Sequence, residues 1–241
     1  MRDLWAVVWL SAKSLWEDFV LFALWNVGWV TLAILPLGLF LVWGSAQPLL
    51  ALGLAAILLL PLAAYSGALC YVANQAVRGK AVGWTTFWFG LRTYWAKSVL
   101  VFLFGVAVLT LVLTNLYFYG QVVQGAWTNL ALGIWWLLGL YWLLVQVFWF
   151  PMILELESEK VLHGLRSAFL MVLVTPGFSL SLGVAIVLSA AVSMLLTVPA
   201  VVVLISFLML LANYATRSRL AFAQGKRYDP GAEDGGTPGR A

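Results

Sequence analysis

The chain has 241 residues, 64% of them hydrophobic and 9% charged, with a mean hydropathy of +1.01. Soluble domains are about 45–50% apolar and about 25% charged, so this composition excludes a water-soluble enzyme, a disordered chain and a nucleic-acid-binding domain. The net charge of +4 therefore calls for an explanation by membrane topology rather than by nucleic acid.

Apolar stretches of the ~20 residues needed to cross a bilayer recur along the chain, and none alternates as an outer-membrane barrel strand would. The expected fold class is an all-α membrane protein with six transmembrane helices. The first span runs from Asp18 to Trp43, the second from Pro48 to Gln75, the third from Lys97 to Tyr119 and the fourth from Thr128 to Leu154. The last apolar block, Phe178–Leu211, is too long for one crossing, and Thr197-Val198-Pro199 offers a break that divides it into spans five and six. Glu17 and Asp18 interrupt the first apolar run, so no cleavable signal peptide is read there. The lone cysteine, Cys70, lies inside an apolar stretch and leaves no intrachain disulfide to form.

With these spans, every charged residue falls on one side. Arg2, Asp3, Lys13, Glu17 and Asp18 precede span one, and Arg78, Lys80, Arg92 and Lys97 separate spans two and three. Glu155, Glu157, Glu159, Lys160 and Arg166 separate four and five, and Arg217, Arg219, Lys226 and Arg227 follow span six. The opposite connections, Gly44–Gln47, Gly120–Trp127 and Leu195–Val198, carry no charge. Lysine and arginine are retained on the cytoplasmic side, which places both termini in the cytoplasm of an inner-membrane protein. The Gly/Pro-rich residues 225–241 read as a disordered cytoplasmic tail following a membrane domain of residues 1–224.

Three segments ahead of spans one, three and five share a pattern: Val8–Trp16 (VWLSAKSLW), Phe87–Trp95 (FWFGLRTYW) and Val161–Phe169 (VLHGLRSAF). Each has two leading apolar residues, a small fourth, a basic sixth, a hydroxyl at the seventh place and a closing aromatic. The apolar positions fall on one helical face, as expected of amphipathic helices in the headgroup layer, with Lys13, Arg92 and Arg166 meeting lipid headgroups. The expected architecture is three hairpins, each preceded by a cytoplasmic interfacial helix, in repeat units of about 2–77, 84–156 and 157–224. Any interfacial helix shows this periodicity; the matched small and basic positions favour triplication.

The stretch Pro61–Ser98, with a proline and small residues leading into a Tyr-containing helix end, an Arg-Gly turn and an aromatic amphipathic segment, resembles the YesL-like family of bacterial membrane proteins. So does Phe148–Leu173, with its proline-led exit from span four. The likeness covers the layout of about two-thirds of the chain. It implies a bacterial inner-membrane protein of undefined activity, in a family found beside carbohydrate uptake and degradation genes, and it defines no functional residues.

Few residues suggest chemistry. The spans hold no ionisable group away from their cytoplasmic ends, which argues against proton or sodium coupling. Nucleophile motifs, phosphate-binding loops and paired-cysteine sites are absent, so neither an enzyme nor a cofactor is expected. Glu155, Glu159 and His163 would share a face of one continuous helix and so offer divalent-cation ligands; the plain alternative is a wet helix end, and no metal is expected. Trp25, Asn26 and Trp29 on span one, with Trp142 and Gln146 on span four, are the candidate ligand-binding residues, set against ordinary helix packing and lipid contact. Ser181, Ala185, Ser189 and Ser193 form a small-residue stripe that suits close packing inside the bundle, with a homo-oligomer contact as the alternative. The leading functional expectation is a non-enzymatic accessory or scaffold protein associated with solute uptake, whose partners are the lipid bilayer and a membrane transport complex. The alternatives are a substrate-binding transport component with a pocket between spans one and four, and a lipid-interacting or lipid-sensing protein.

Overall fold

The computed structural model describes residues 2–44, 46–123, 125, 127–156, 160–196 and 202–225, and among them every regular element is helical. Eight α-helices follow in chain order: α1 (Arg2–Glu17), α2 (Phe19–Trp43), α3 (Pro48–Val77), α4 (Trp84–Tyr117), α5 (Thr128–Glu155), α6 (Val161–Val174), α7 (Pro176–Leu196) and α8 (Leu204–Ala223). A π-helical turn, Phe118–Val122, extends α4. Among the described residues, five segments are long and apolar enough to cross a membrane: Phe19–Trp43, Gly53–Val77, Trp84–Val122, Thr128–Glu155 and Pro176–Leu195. Hydrocarbon offers no partner to a backbone amide, so such runs close their hydrogen bonds internally, and helix continues through Pro36, Pro61 and Pro151. The expected break at Thr197–Pro199 and the tail beyond Gly225 lie outside the described residues.

Three helices, α3, α5 and α8, touch one another and form the centre. Each of the outer crossings lies between two of them: α2 touches α3 and α8, α4 touches α3 and α5, and α7 touches α5 and α8. The amphipathic pieces pack in the same sense, α1 on α8, the first turns of α4 on α3, and α6 on α5. The three similar segments agree in burial at their second, fourth, sixth and closing positions and differ at the seventh, where Ser14 is buried and Thr93 exposed. The small fourth residue, Ser11, Gly90 or Gly164, is buried, and the basic sixth, Lys13, Arg92 or Arg166, is exposed. The second and closing residues (Trp9 and Trp16, Trp88 and Trp95, Leu162 and Phe169) all point outward.

The fourth position is small because a neighbouring helix fills the space. A Cβ on Gly90 would lie 2.7 Å from a ring carbon of Tyr71, and one on Gly164 would collide with the Ile153 side chain and sit 3.3 Å from the Ile153 backbone nitrogen. Gly164→Val should therefore overpack the α5–α6 contact and lower stability by about 1–3 kcal/mol. Thermal unfolding in mild detergent reads this directly; a variant as stable as the parent would mean that α6 is not held there.

The middle of the three similar segments differs from the other two. Asp18 interrupts the chain between α1 and α2, and Thr175 separates α6 from α7, whereas residues 84–117 form one unbroken 34-residue helix. Proline at 176 has no amide hydrogen and disfavours helix at the residue before it. Trp95-Ala96-Lys97-Ser98 contains no such breaker, so the interfacial turn and the span run on as one rod. Burial, then the neighbouring Glu17, raises the Asp18 carboxyl above its usual range.

A polar seam inside α8 departs from the expectation that its arginines follow the last span in water. Ser206, Asn213, Thr216, Ser218 and Arg219 are all buried, and the Arg217 side chain is only 10% exposed. The helix turns its polar groups inward against its neighbours, because those neighbours supply partners that lipid cannot.

Candidate functional site

Between the central helices and α2, α4 and α7 lies a pocket of about 440 Å³. Its apolar wall includes Leu62 and Ala63 of α3, Phe102 of α4, Phe150 of α5, Ile186 of α7 and Met209 of α8. Five side chains with polar atoms interrupt it: Trp29 from α2, Ser66 and Cys70 from α3, Ser98 from α4, and Gln146 from α5. The Trp29 indole nitrogen donates to Ser66 Oγ at 2.8 Å, and Ser66 donates in turn to the Leu62 carbonyl at 2.8 Å. Ser98 donates to the Tyr94 carbonyl at 2.8 Å, and Cys70 Sγ accepts from Asn213 Nδ2 at 3.3 Å. Gln146 forms no hydrogen bond among the described residues. Its amide rests against Gly105, where an added Cβ would come within 2.6 Å of Nε2. Pro151 and Val147 both line the pocket, and Pro151 has no amide hydrogen to give the Val147 carbonyl four residues before it.

The five residues singled out in the sequence divide. Trp29 and Gln146 share the pocket, while Trp142 and Gln146 share a separate hollow of about 180 Å³ between α4 and α5. Trp25 and Asn26 line neither; both are fully buried in helix contacts. The Trp25 ring stacks on Phe87 with centroids 5.9 Å apart and planes 14° from parallel, and meets Phe22 and Trp84 edge-on. Asn26 Oδ1 accepts the Ser206 amide at 3.0 Å, while Ser206 Oγ donates to the Phe22 carbonyl at 3.0 Å. The first turn of a helix leaves its amides without intrahelical acceptors, and here α2 supplies one to α8. An asparagine within an apolar span is thus a cap for a helix far away in sequence.

The polar centre that sequence reasoning missed lies toward the C-terminal ends of α3, α5 and α8. Glu155, the last residue of α5, is only 10% exposed. Its carboxylate accepts from Asn74 Nδ2 at 2.7 Å and from an Arg78 guanidinium nitrogen at 3.2 Å, and Arg217 Nε lies 3.5 Å from it. Arg217 also donates to the Val77 carbonyl at 3.1 Å. Asn74 donates to Asn213 Oδ1 at 3.2 Å, and Asn213 donates to the Cys70 carbonyl and sulfur and to the Met209 carbonyl. A hydrogen-bonded chain therefore leads from the ion cluster through two asparagines to the pocket wall at Cys70. Gly79, at φ +70°, ends α3 with the Lys80 amide bonded to the Gln75 carbonyl and its own amide to Ala76, which sets Arg78 at the helix end opposite Glu155. The signal present in the sequence was Asn at 74 and 213, each followed four residues later by Arg, with one carboxylate near enough to serve both.

This arrangement corrects two readings of Glu155. It is neither a wet helix end nor part of a helical ligand triad, since α5 stops at Glu155 and His163 is exposed on a different helix. Glu159 lies outside the described residues, and among those described no cluster of three metal-ligating side chains occurs. Arg78, between spans two and three, faces the Glu155 carboxylate. At the other arginine, Arg219 meets Asp3 at 2.7 Å and holds its guanidinium 3.9 Å from the centre of the Phe178 ring. Lys13, Arg92 and Arg166 are exposed, with Lys13 3.7 Å from Glu17. In the small-residue stripe, Ser181 and Ser189 donate to carbonyls one turn back on α7 itself, so those hydroxyls do not bridge helices.

No family model matches the chain, and no curated protein and no solved structure is similar to it at a significant level.

Proposed function

We propose that the chain is a non-enzymatic, six-span protein of the bacterial cytoplasmic membrane that holds a small ligand in the pocket between its first and fourth spans. The observation that carries this reading is the meeting of Trp29 from α2 and Gln146 from α5 in one intramembrane pocket of about 440 Å³, within the range used by small-molecule sites. Protein interiors are otherwise close-packed, so a space of that size with an uncommitted amide in its wall is better suited to an occupant than to helix packing.

In this proposal α8 belongs to the sixth crossing, and both termini lie in the cytoplasm. The ion pairs joining Arg78 and Arg217 to Glu155 and Arg219 to Asp3 favour it, since they gather the ends of α3, α5 and α8 and the start of α1 at one end of the bundle. The threefold hairpin repeat is also part of it, supported by the matched burial of Ser11, Gly90 and Gly164 and by the cyclic order of helix contacts. Exposed Trp5, Trp9, Trp16, Trp84, Trp88 and Trp95 suit an aromatic belt at the headgroups, where Lys13, Arg92 and Arg166 orient the protein. An accessory role beside solute uptake enters only through the YesL-like resemblance and is secondary, because the pocket gives the ligand reading a physical site.

Native mass spectrometry of protein taken from its own membrane tests the proposal. The parent should retain a bound small molecule, and Val147→Phe, which fills the pocket from α5, should lose it while keeping its thermal stability. Spectra that are the same for parent and variant would sink the reading.

A further inference from the structure

The donors and acceptors already spent in the pocket wall restrict what can enter it. Trp29, Ser66 and Ser98 have given their hydrogens to protein oxygens, and Cys70 is engaged by Asn213. The amide of Gln146 is left, with two donors and a carbonyl, beside the Val147 carbonyl that Pro151 releases. Among the described residues no charged side chain lines the pocket, and the Glu155 carboxylate is held by Asn74 and Arg78. A carboxylate, phosphate or ammonium group would therefore lose its water with no counter-charge to replace it. A carbohydrate would bring hydroxyls around its whole ring to a wall whose strong free donors, among the described residues, are those of the Gln146 amide, and each hydroxyl left unpaired is unfavourable. One hydroxyl, by contrast, can accept from Gln146 Nε2 and donate to Gln146 Oε1 or the Val147 carbonyl, while the rest of the molecule meets Phe102, Phe150 and leucine and methionine side chains.

We infer that the pocket is built for a neutral, largely apolar molecule bearing a single hydroxyl, such as a long-chain or polycyclic alcohol, and not for a sugar. This rests on the ligand reading above. A second groove, of about 530 Å³ between α5, α6 and α7, is lined almost wholly by leucine, isoleucine and valine and has no free amide, so it suits acyl chains without selecting among them.

The test uses the full chain in phosphatidylcholine–phosphatidylglycerol vesicles, labelled with a hexadecanol carrying a photoreactive group in its chain. Photoreactive phosphatidylcholine serves as the bulk-lipid control, and mass spectrometry locates the adducts. Hexadecanol label should fall on the Leu62–Cys70 and Gln146–Pro151 stretches and be displaced by unlabelled hexadecanol but not by palmitate or maltose. Loss of one neutral hydrogen-bonding site should reduce this capture about three- to tenfold in Gln146→Leu. Gly105→Ala, which leaves the pocket residues in place but pushes on the Gln146 amide, should reduce it in the same direction. Displacement by maltose or palmitate as effective as by the alcohol would overturn the ligand class and leave the ligand reading standing. Label indifferent both to unlabelled alcohol and to Gln146→Leu would also overturn the class. If neither photoprobe reaches these stretches, the pocket is closed and both proposals fall.

Discussion

Glu155→Ala should lower the stability of the protein by about 3–5 kcal/mol, the usual effect of removing one partner from a buried ion pair. The carboxylate is the common acceptor for Asn74, Arg78 and Arg217, which come from two different helices, so its removal leaves two guanidinium groups facing each other without the charge between them. The Arg78 Nε already lacks a partner among the described residues, so that side chain has little in reserve. Arg78→Ala alone should cost less, since Glu155 keeps Asn74 and Arg217. Replacing Glu155, Arg78 and Arg217 together by methionine should recover much of the loss, because well-packed apolar side chains often equal a buried ion cluster. Unfolding in a mild-detergent series, with the single and triple variants compared, measures this. A single-variant loss below about 1 kcal/mol would show that the cluster is solvated and does not hold α3, α5 and α8 together.

Trp25→Ala should be destabilising by about 3–5 kcal/mol through the cavity it leaves. The ring is fully buried and sandwiched with Phe87, so its loss unpins the first turns of α4 from α2. Trp25→Phe separates packing from hydrogen bonding. The Trp25 indole nitrogen is buried with no acceptor among the described residues, so phenylalanine discards an unsatisfied donor while keeping an aromatic against Phe87. It should therefore lose much less than the alanine variant. Ligand capture should survive Trp25→Phe but fall in Gln146→Leu. The reverse pattern would return Trp25 to the ligand site that the sequence suggested for it.

The contrast between Trp25 and Trp29 shows where the sequence stops being informative. Both lie on one span, four residues apart, and either suits a pocket or a core. One helical turn and the arrival of Phe87 put the first in a stack, while Ser66 draws the second to the pocket wall. Asn26 is similar: an amide in an apolar run announces only that it needs a partner, and the partner is a backbone nitrogen of Ser206. Glu155 was misread for a related reason. One-dimensional charge counting assigns residues at span ends to water, but α3, α5 and α8 end together, and their polar ends meet one another before they meet solvent.

The amino-acid sequence by itself determined the solvent and the elements. Runs of apolar residues long enough to cross hydrocarbon can satisfy their backbone only as helices, and the three similar segments marked which stretches are amphipathic. Tertiary structure alone decided which helices are central, which polar groups pair and where space is left over. Those outcomes depend on residues such as Asn74, Glu155 and Arg217 that are far apart in sequence, and on the fit between helix surfaces, neither of which a local pattern records.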